Sequence, residues 1–180
     1  MVRSNTRDEI LAAAARQFAR AGFKGTSLHD IAVEVGCSKA ALLYHFDSKE
    51  AILTEMCAPA IAELRELAAR LAGLGPHAAR TAAIEGFVDL VLRYRKEIQV
   101  IYGDLPGLLQ QPEFLEVHLM TQRLQEALTG PSGSPAAHVA AKLVLAGTAA
   151  VAFDCIDYSD DDLRAALIAA AARVLTPEAS

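Results

Sequence analysis

The chain has 180 residues, and few of its side chains could carry out covalent or metal chemistry. Cys37, Cys57 and Cys155 stand far apart, with no CxxC or Cys/His cluster, so they read as free thiols, not as a zinc site or a disulfide framework. Asp154, Asp157, Asp160, Asp161 and Asp162 are crowded enough to suggest a metal. They lie between two apolar helical stretches, however, where acids end one helix and favour the positive N-terminal end of the next. Catalysis needs a nucleophile, a base and an orienting group brought together. No GxSxG elbow, HExxH pair or phosphate-cradling loop occurs. We therefore expect no enzyme activity, no metal and no cofactor.

The informative stretch is Thr26 to Glu50, TSLHDIAVEVGCSKAALLYHFDSKE. Two short helices joined by Val35-Gly36-Cys37-Ser38 are the requirement for a helix-turn-helix, whose second helix lies in the major groove while the first crosses the backbone. Each residue type suits its place. Gly36 permits a tight turn, and Ile31, Ala32 and Val35 hold the first helix inward. Ser38, Lys39 and Ala40 are small or polar, so the start of the second helix can approach base edges.

With its flanks, this segment resembles the DNA-binding head of the tetracycline-repressor-like (TetR) family. The residues that carry the resemblance are Phe18-Ala19-Arg20-Ala21-Gly22-Phe23, Thr26-Ser27, Asp30-Ile31-Ala32, Gly36-Cys37-Ser38-Lys39 and Tyr44-His45-Phe46-Asp47-Ser48-Lys49-Glu50. They are colinear and cover about residues 6–55. The resemblance implies a transcriptional repressor that binds a near-palindromic double-stranded DNA operator as a homodimer and is released by a small-molecule effector. It assigns Thr26 and Ser27 to phosphate at the start of the second helix, where free amides suit anions. It assigns Ser38, Lys39 and Ala40 to the bases, and His45 and Lys49 to the DNA backbone. Leu43 replaces the family's frequent tyrosine; it either meets a thymine methyl or is buried. Tyr44 touches a base or a phosphate. Cys37 replaces an aliphatic residue in the turn and reads as a small apolar filler.

The elements that must position these residues are helices. No alternating strand pattern occurs, so the expected fold is all-α: a three-helix head over residues 1–50 on a larger helical body over 51–180 that binds the effector and dimerises. The first helix begins near Thr6 and stops at Gly22, and Asp47 or Ser48 caps a fourth that Pro59 could kink or divide. Charge divides the same way. Residues 1–50 carry net +1 and the remainder net −6, within a total of −5, as suits a head that meets phosphate. In the body, Phe87, Val91, Tyr94, Tyr102, Phe114, His118 and Phe153 are candidate liners of an effector pocket, with an apolar effector expected. Phe114 and His118 share one helical face. The last two helices carry the stripes Val139, Leu143, Ala146, Ala150 and Leu163, Leu167, Ala170, Val174, core-facing or dimer-facing by periodicity. The resemblance favours a dimer interface. No signal-peptide core and no uninterrupted apolar run of about 18–20 residues appears, so no membrane partner and a cytoplasmic location are expected.

Overall fold

The computed structural model describes residues 6–103, 114–131, 133–155 and 157–176, and among them only helices occur. Helix α1 (Thr6–Gly25) runs past its expected stop, but Gly22 interrupts it at φ 74°, a left-handed conformation that glycine adopts without a Cβ penalty. Helix α2 (Leu28–Val35) begins in a capping box. Ser27 accepts the amide of Asp30, and the Asp30 carboxylate accepts the amide of Ser27. It ends at Gly36, left-handed at φ 78°. Ser38 then caps helix α3 (Lys39–His45), and Ser48 caps α4 (Lys49–Leu71), each accepting the amide three residues on. Pro59 lies exposed within α4, which continues through it as one helix.

The body continues with α5 (Pro76–Arg93) and α6 (Arg95–Gly103). Helices α7 (Leu115–Thr129), α8 (Pro135–Asp154) and α9 (Asp160–Leu175) follow, the last two capped by Ser134 and Ser159. Asp160, Asp161 and Asp162 occupy the first turn of α9, where their charge meets the helix dipole. Among the described residues no group of acids, histidines and cysteines has the geometry to hold a metal.

Two hydrophobic clusters organise the chain. The smaller joins Ile10, Phe18, Phe23, Ile31, Leu42 and Phe46 with Ile52, Leu53 and Cys57 of α4. It also takes Val100 from α6 and Phe114 from just before α7. A division at residue 50 therefore cuts through α4, whose first two turns belong to the head's core. The larger cluster fills the body between α4, α5, α7, α8 and α9. Helix α8 alone among the described helices is long and apolar enough to cross a membrane, by length and composition only. Lys142 interrupts its apolar run near the start. One side of α8, with Ala141, Val144, Leu145 and Ala152, is buried in the body.

Candidate nucleic-acid interface and body cavity

Local chain chemistry sets the head's outward surface. Leu42 is the buried anchor of α3, and Lys39, Ala40, Ala41, Leu43 and Tyr44 are exposed. Tyr44 is 86% exposed, with its ring edge-on to His45 at 5.2 Å between centroids. Leu43 is 40% exposed, which decides between its two readings in favour of an outward apolar group. Ser38 spends its hydroxyl oxygen on the amide of Ala41. At the start of α2, Ser27 and Asp30 satisfy each other, leaving the amides of Leu28 and His29 as the donors that a helix start leaves unpaired. The Asp30 carboxyl is held below its ordinary range, first by the Ser27 hydroxyl and then by the Ser27 amide.

Two clasps fix this surface on the rest of the head. Arg7 donates to the carboxylate of Glu55 and to the carbonyl of His45 (3.2 Å), while its guanidinium lies 4.4 Å from the centre of the Phe46 ring. A cation at the last carbonyls of α3 suits the negative end of that helix. Lys49 forms the second clasp. Its Nζ donates to the carbonyls of Phe23 (2.7 Å) and Thr26 (2.9 Å) and sits 4.4 Å from the Phe23 ring centre.

These bonds correct two assignments. Thr26 is buried, and its hydroxyl donates to the carbonyl of Gly22 at 2.9 Å, so it closes the end of α1 and does not face a phosphate. Lys49 turns inward and ties the α1–α2 junction to the start of α4. A lysine opening a helix gives the same sequence signal whether it points in or out. The sequence reading also passed over His29, which is exposed in the first turn of α2.

The body holds a cavity of about 360 Å³ between α4, α5, α6, α7 and α8. Its wall is mainly aliphatic, with Ile61, Leu64, Leu90, Ile98, Val117 and Leu145, and with Phe87, Cys57, Thr121, Gln125 and Lys142. Of the expected liners, Phe87 alone among the described residues borders it. Val91 is fully buried in the body core, and Tyr94 packs against that core from its edge. Phe114 is fully buried in the head's cluster. His118 is exposed, its Nε2 3.0 Å from the Gln122 amide nitrogen. Phe153 is half-buried and does not border the cavity. The side chain of Tyr102 lies outside the described residues. Aromatic residues drew the sequence reading because they bury large areas; here aliphatic side chains leave the space.

The expected dimer stripes also divide. Val139 (58%) and Leu143 (61%) on α8 and Val174 (48%) on α9 are exposed, as are Ala146 and Ala170, and Ala150 is half-buried. Leu163 and Leu167 are buried with Ala171 and Leu175 in the chain's own core, so they are removed from any outer face. The outward stripe of α9 is Ala166, Ala170 and Val174.

The sequence profile of the bacterial regulatory proteins of the tetR family matches residues 10–56, the head just described. The biofilm operon icaADBC HTH-type negative transcriptional regulator IcaR of Staphylococcus aureus is 48% identical over 46 residues, 26% of this chain and 25% of that one. The chain thus matches about a quarter of that relative's length. A TetR-family transcriptional regulator from Bordetella parapertussis superposes with TM-score 0.69 at 25% identity, over 96% of this chain and 93% of that one. The ketosteroid transcriptional regulator KstR2 of Mycobacterium tuberculosis shares the fold, with TM-score 0.72 at 18% identity, over 97% and 95%. The head of this chain matches the bacterial regulatory proteins of the tetR family, and the whole chain shares its fold with TetR-family transcriptional regulators. Its family-specific sequence signal lies in the head, and the likeness over the body is one of fold.

Proposed function

We propose that this chain is a TetR-family repressor that binds a near-palindromic operator as a homodimer and leaves it when a small molecule occupies the body. The observation that carries the DNA reading is the outward face of α3, with Lys39, Ala40, Leu43 and Tyr44, held on a helix-turn-helix that is capped at both starts and clasped by Arg7 and Lys49. Ser27 and His45 border this face and serve the DNA backbone, and Ser38 opens it beside Lys39 on the base-facing side. The name of IcaR as a negative regulator favours repression.

The dimer reading rests on the exposed apolar face of α8 and α9. Val139, Leu143 and Val174 on water form a patch that a second copy would cover. A two-fold pair presents two α3 helices to half-sites about one helical turn apart, or a multiple of it. The effector reading rests on α6. Ile98 borders the cavity, and Val100, two residues on, is buried in the head's cluster. A molecule that shifts α6 therefore acts on the head. Coupling of this kind is typically about 1–3 kcal/mol, or about 5–150-fold in operator affinity.

The test is a mobility-shift titration on the promoter region beside the protein's own gene, with base-substituted versions of the fragment retained. Wild type should shift a short palindromic fragment. Lys39→Ala should cost about 1–3 kcal/mol at one base pair and relax preference there. A protein that shifts no fragment, or a variant indistinguishable from wild type on every fragment, removes the α3 reading.

A further inference from the structure

The body cavity has a chemical polarity along its length. We propose that it takes a slender apolar molecule ending in a single carboxylate, with the chain toward the head and the carboxylate at Lys142. The proposal rests on the effector reading for its regulatory meaning, although not for binding itself.

Helices α7 and α8 run antiparallel across a short connection, so their cavity residues can be ordered. Val117, Thr121 and Gln125 step along one wall away from the head, and Ala149, Leu145 and Lys142 step along the other in the same direction. Gln125 and Lys142 therefore share the end far from the head, and Val117 and Ala149 share the near end with Cys57 and Ile98. Eight residues of helix from Val117 to Gln125 give the cavity a length of about 12 Å.

The two ends differ in what they can hold. At the near end the wall is aliphatic, and the one polar atom is a thiol that stays protonated. Burial, and then the negative charge of Glu97, push Cys57 up to about 12. A ligand anion there would meet that same Glu97 charge without a donor. At the far end, Lys142 is exposed and makes no hydrogen bond or ion pair among the described residues. Body arginines nearby in the fold are answered by acids: Arg65 by Glu116, Arg93 by Glu63 and Arg164 by Asp89. The Gln125 amide adds a neutral donor beside Lys142, whereas Thr121 has already given its proton to the Val117 carbonyl at 2.8 Å. One cation and one amide suit a monoanion; a phosphate dianion would leave charge unmatched. An extended alkyl chain advances about 1.3 Å per carbon, so about 12 Å holds a chain of about ten carbons.

The test uses the full-length protein without DNA, titrated calorimetrically with decanoate and with 1-decanol. Decanoate should bind about tenfold or more tightly than decanol, the scale of one charge-assisted hydrogen bond. Lys142→Met should abolish that preference and leave decanol affinity within about twofold, while Lys142→Arg should retain it. Because Lys142 is exposed, these variants should fold as wild type does. Equal affinity for the two probes, no binding of decanoate, or an undiminished preference in Lys142→Met would each overturn the proposal. Operator affinity measured with saturating decanoate separates the two readings. Decanoate that binds with the Lys142 signature but leaves operator affinity unchanged upholds the ligand class and removes decanoate-type molecules as effectors. Release by decylamine together with no binding of decanoate upholds an effector-responsive body and overturns the carboxylate.

Discussion

Replacing Lys49 with methionine separates a structural clasp from a DNA contact. Lys49→Met keeps most of the side-chain stem and removes the ammonium that bridges the Phe23 and Thr26 carbonyls at 2.7 and 2.9 Å. Hydrogen bonds to charged groups contribute about 1.5–3 kcal/mol each when well shielded. An exposed cation–π contact adds about 0.5–1 kcal/mol. Lys49 is half-buried, so water screens part of this and can solvate the carbonyls it leaves. A net loss of about 2 kcal/mol follows, which for a chain of this size lowers the melting temperature by about 4–8 °C. Circular dichroism on heating reads that shift. Operator affinity across a salt series then reads charge. A phosphate-contacting lysine lowers the slope of log K against log salt by about 0.9 per head when removed. The clasp predicts no change in slope, because the ammonium is spent inside the protein. A variant that melts with wild type and loses about 0.9 per head, or twice that per dimer, would refute the clasp.

Leu143→Glu should convert the proposed dimer to monomer in sedimentation with the fold retained, since Leu143 is 61% exposed, whereas Leu167→Glu should unfold the body, since it buries a charge. Gly86→Ala should destabilise by about 1–3 kcal/mol in denaturant titration, because a Cβ there would lie 2.5 Å from Cδ1 of the buried Leu67. The Asp30 and Glu34 carboxyls are both held below their ordinary values of 3.8 and 4.5, Asp30 by Ser27 and Glu34 by Arg16 and then Gln17. A depressed folded value contributes stability that is complete above the ordinary value and is lost as pH falls through the folded one. Asp30→Asn should therefore lower stability at neutral pH and flatten its decline below about pH 4; an unchanged acid limb would count against the capping box.

The head was legible because its decisive interactions are local. Ser27 with Asp30, Gly36, and Ser38 with Ala41 each act over four residues or fewer, and the residue types that satisfy helix ends are few. Lys49 was not legible in the same way: its partners lie 23 and 26 residues earlier. The body failed for a different reason. In the alanine-rich α9, Leu163-Leu167-Ala171-Leu175 and Ala166-Ala170-Val174 are both apolar at four-residue spacing, so periodicity could not choose which faces out. Burial assigns the first to the core. The cavity escaped because no single residue marks an unfilled space. It arises from where Ala60, Ala146 and Ala149 leave room among five helices.

That same distribution explains how an event in the cavity could reach the DNA face. Two struts cross from body to head, and each carries one residue in both places. On α6, Ile98 borders the cavity and Val100 enters the head's core. At the start of α7, Val117 borders the cavity and Phe114, three residues earlier, is fully buried in that core. A ligand that separates α6 from α7 cannot leave both Val100 and Phe114 in place, because a core at crystalline density has no slack to absorb the change. The head itself is tied across α1, α3 and α4 by Arg7, and from the α1–α2 junction to α4 by Lys49. A displaced strut should therefore rotate α3 together with the rest of the head, not distort it. For two heads set to two half-sites, a change in their spacing is enough to lower affinity, with no change in any residue that touches DNA.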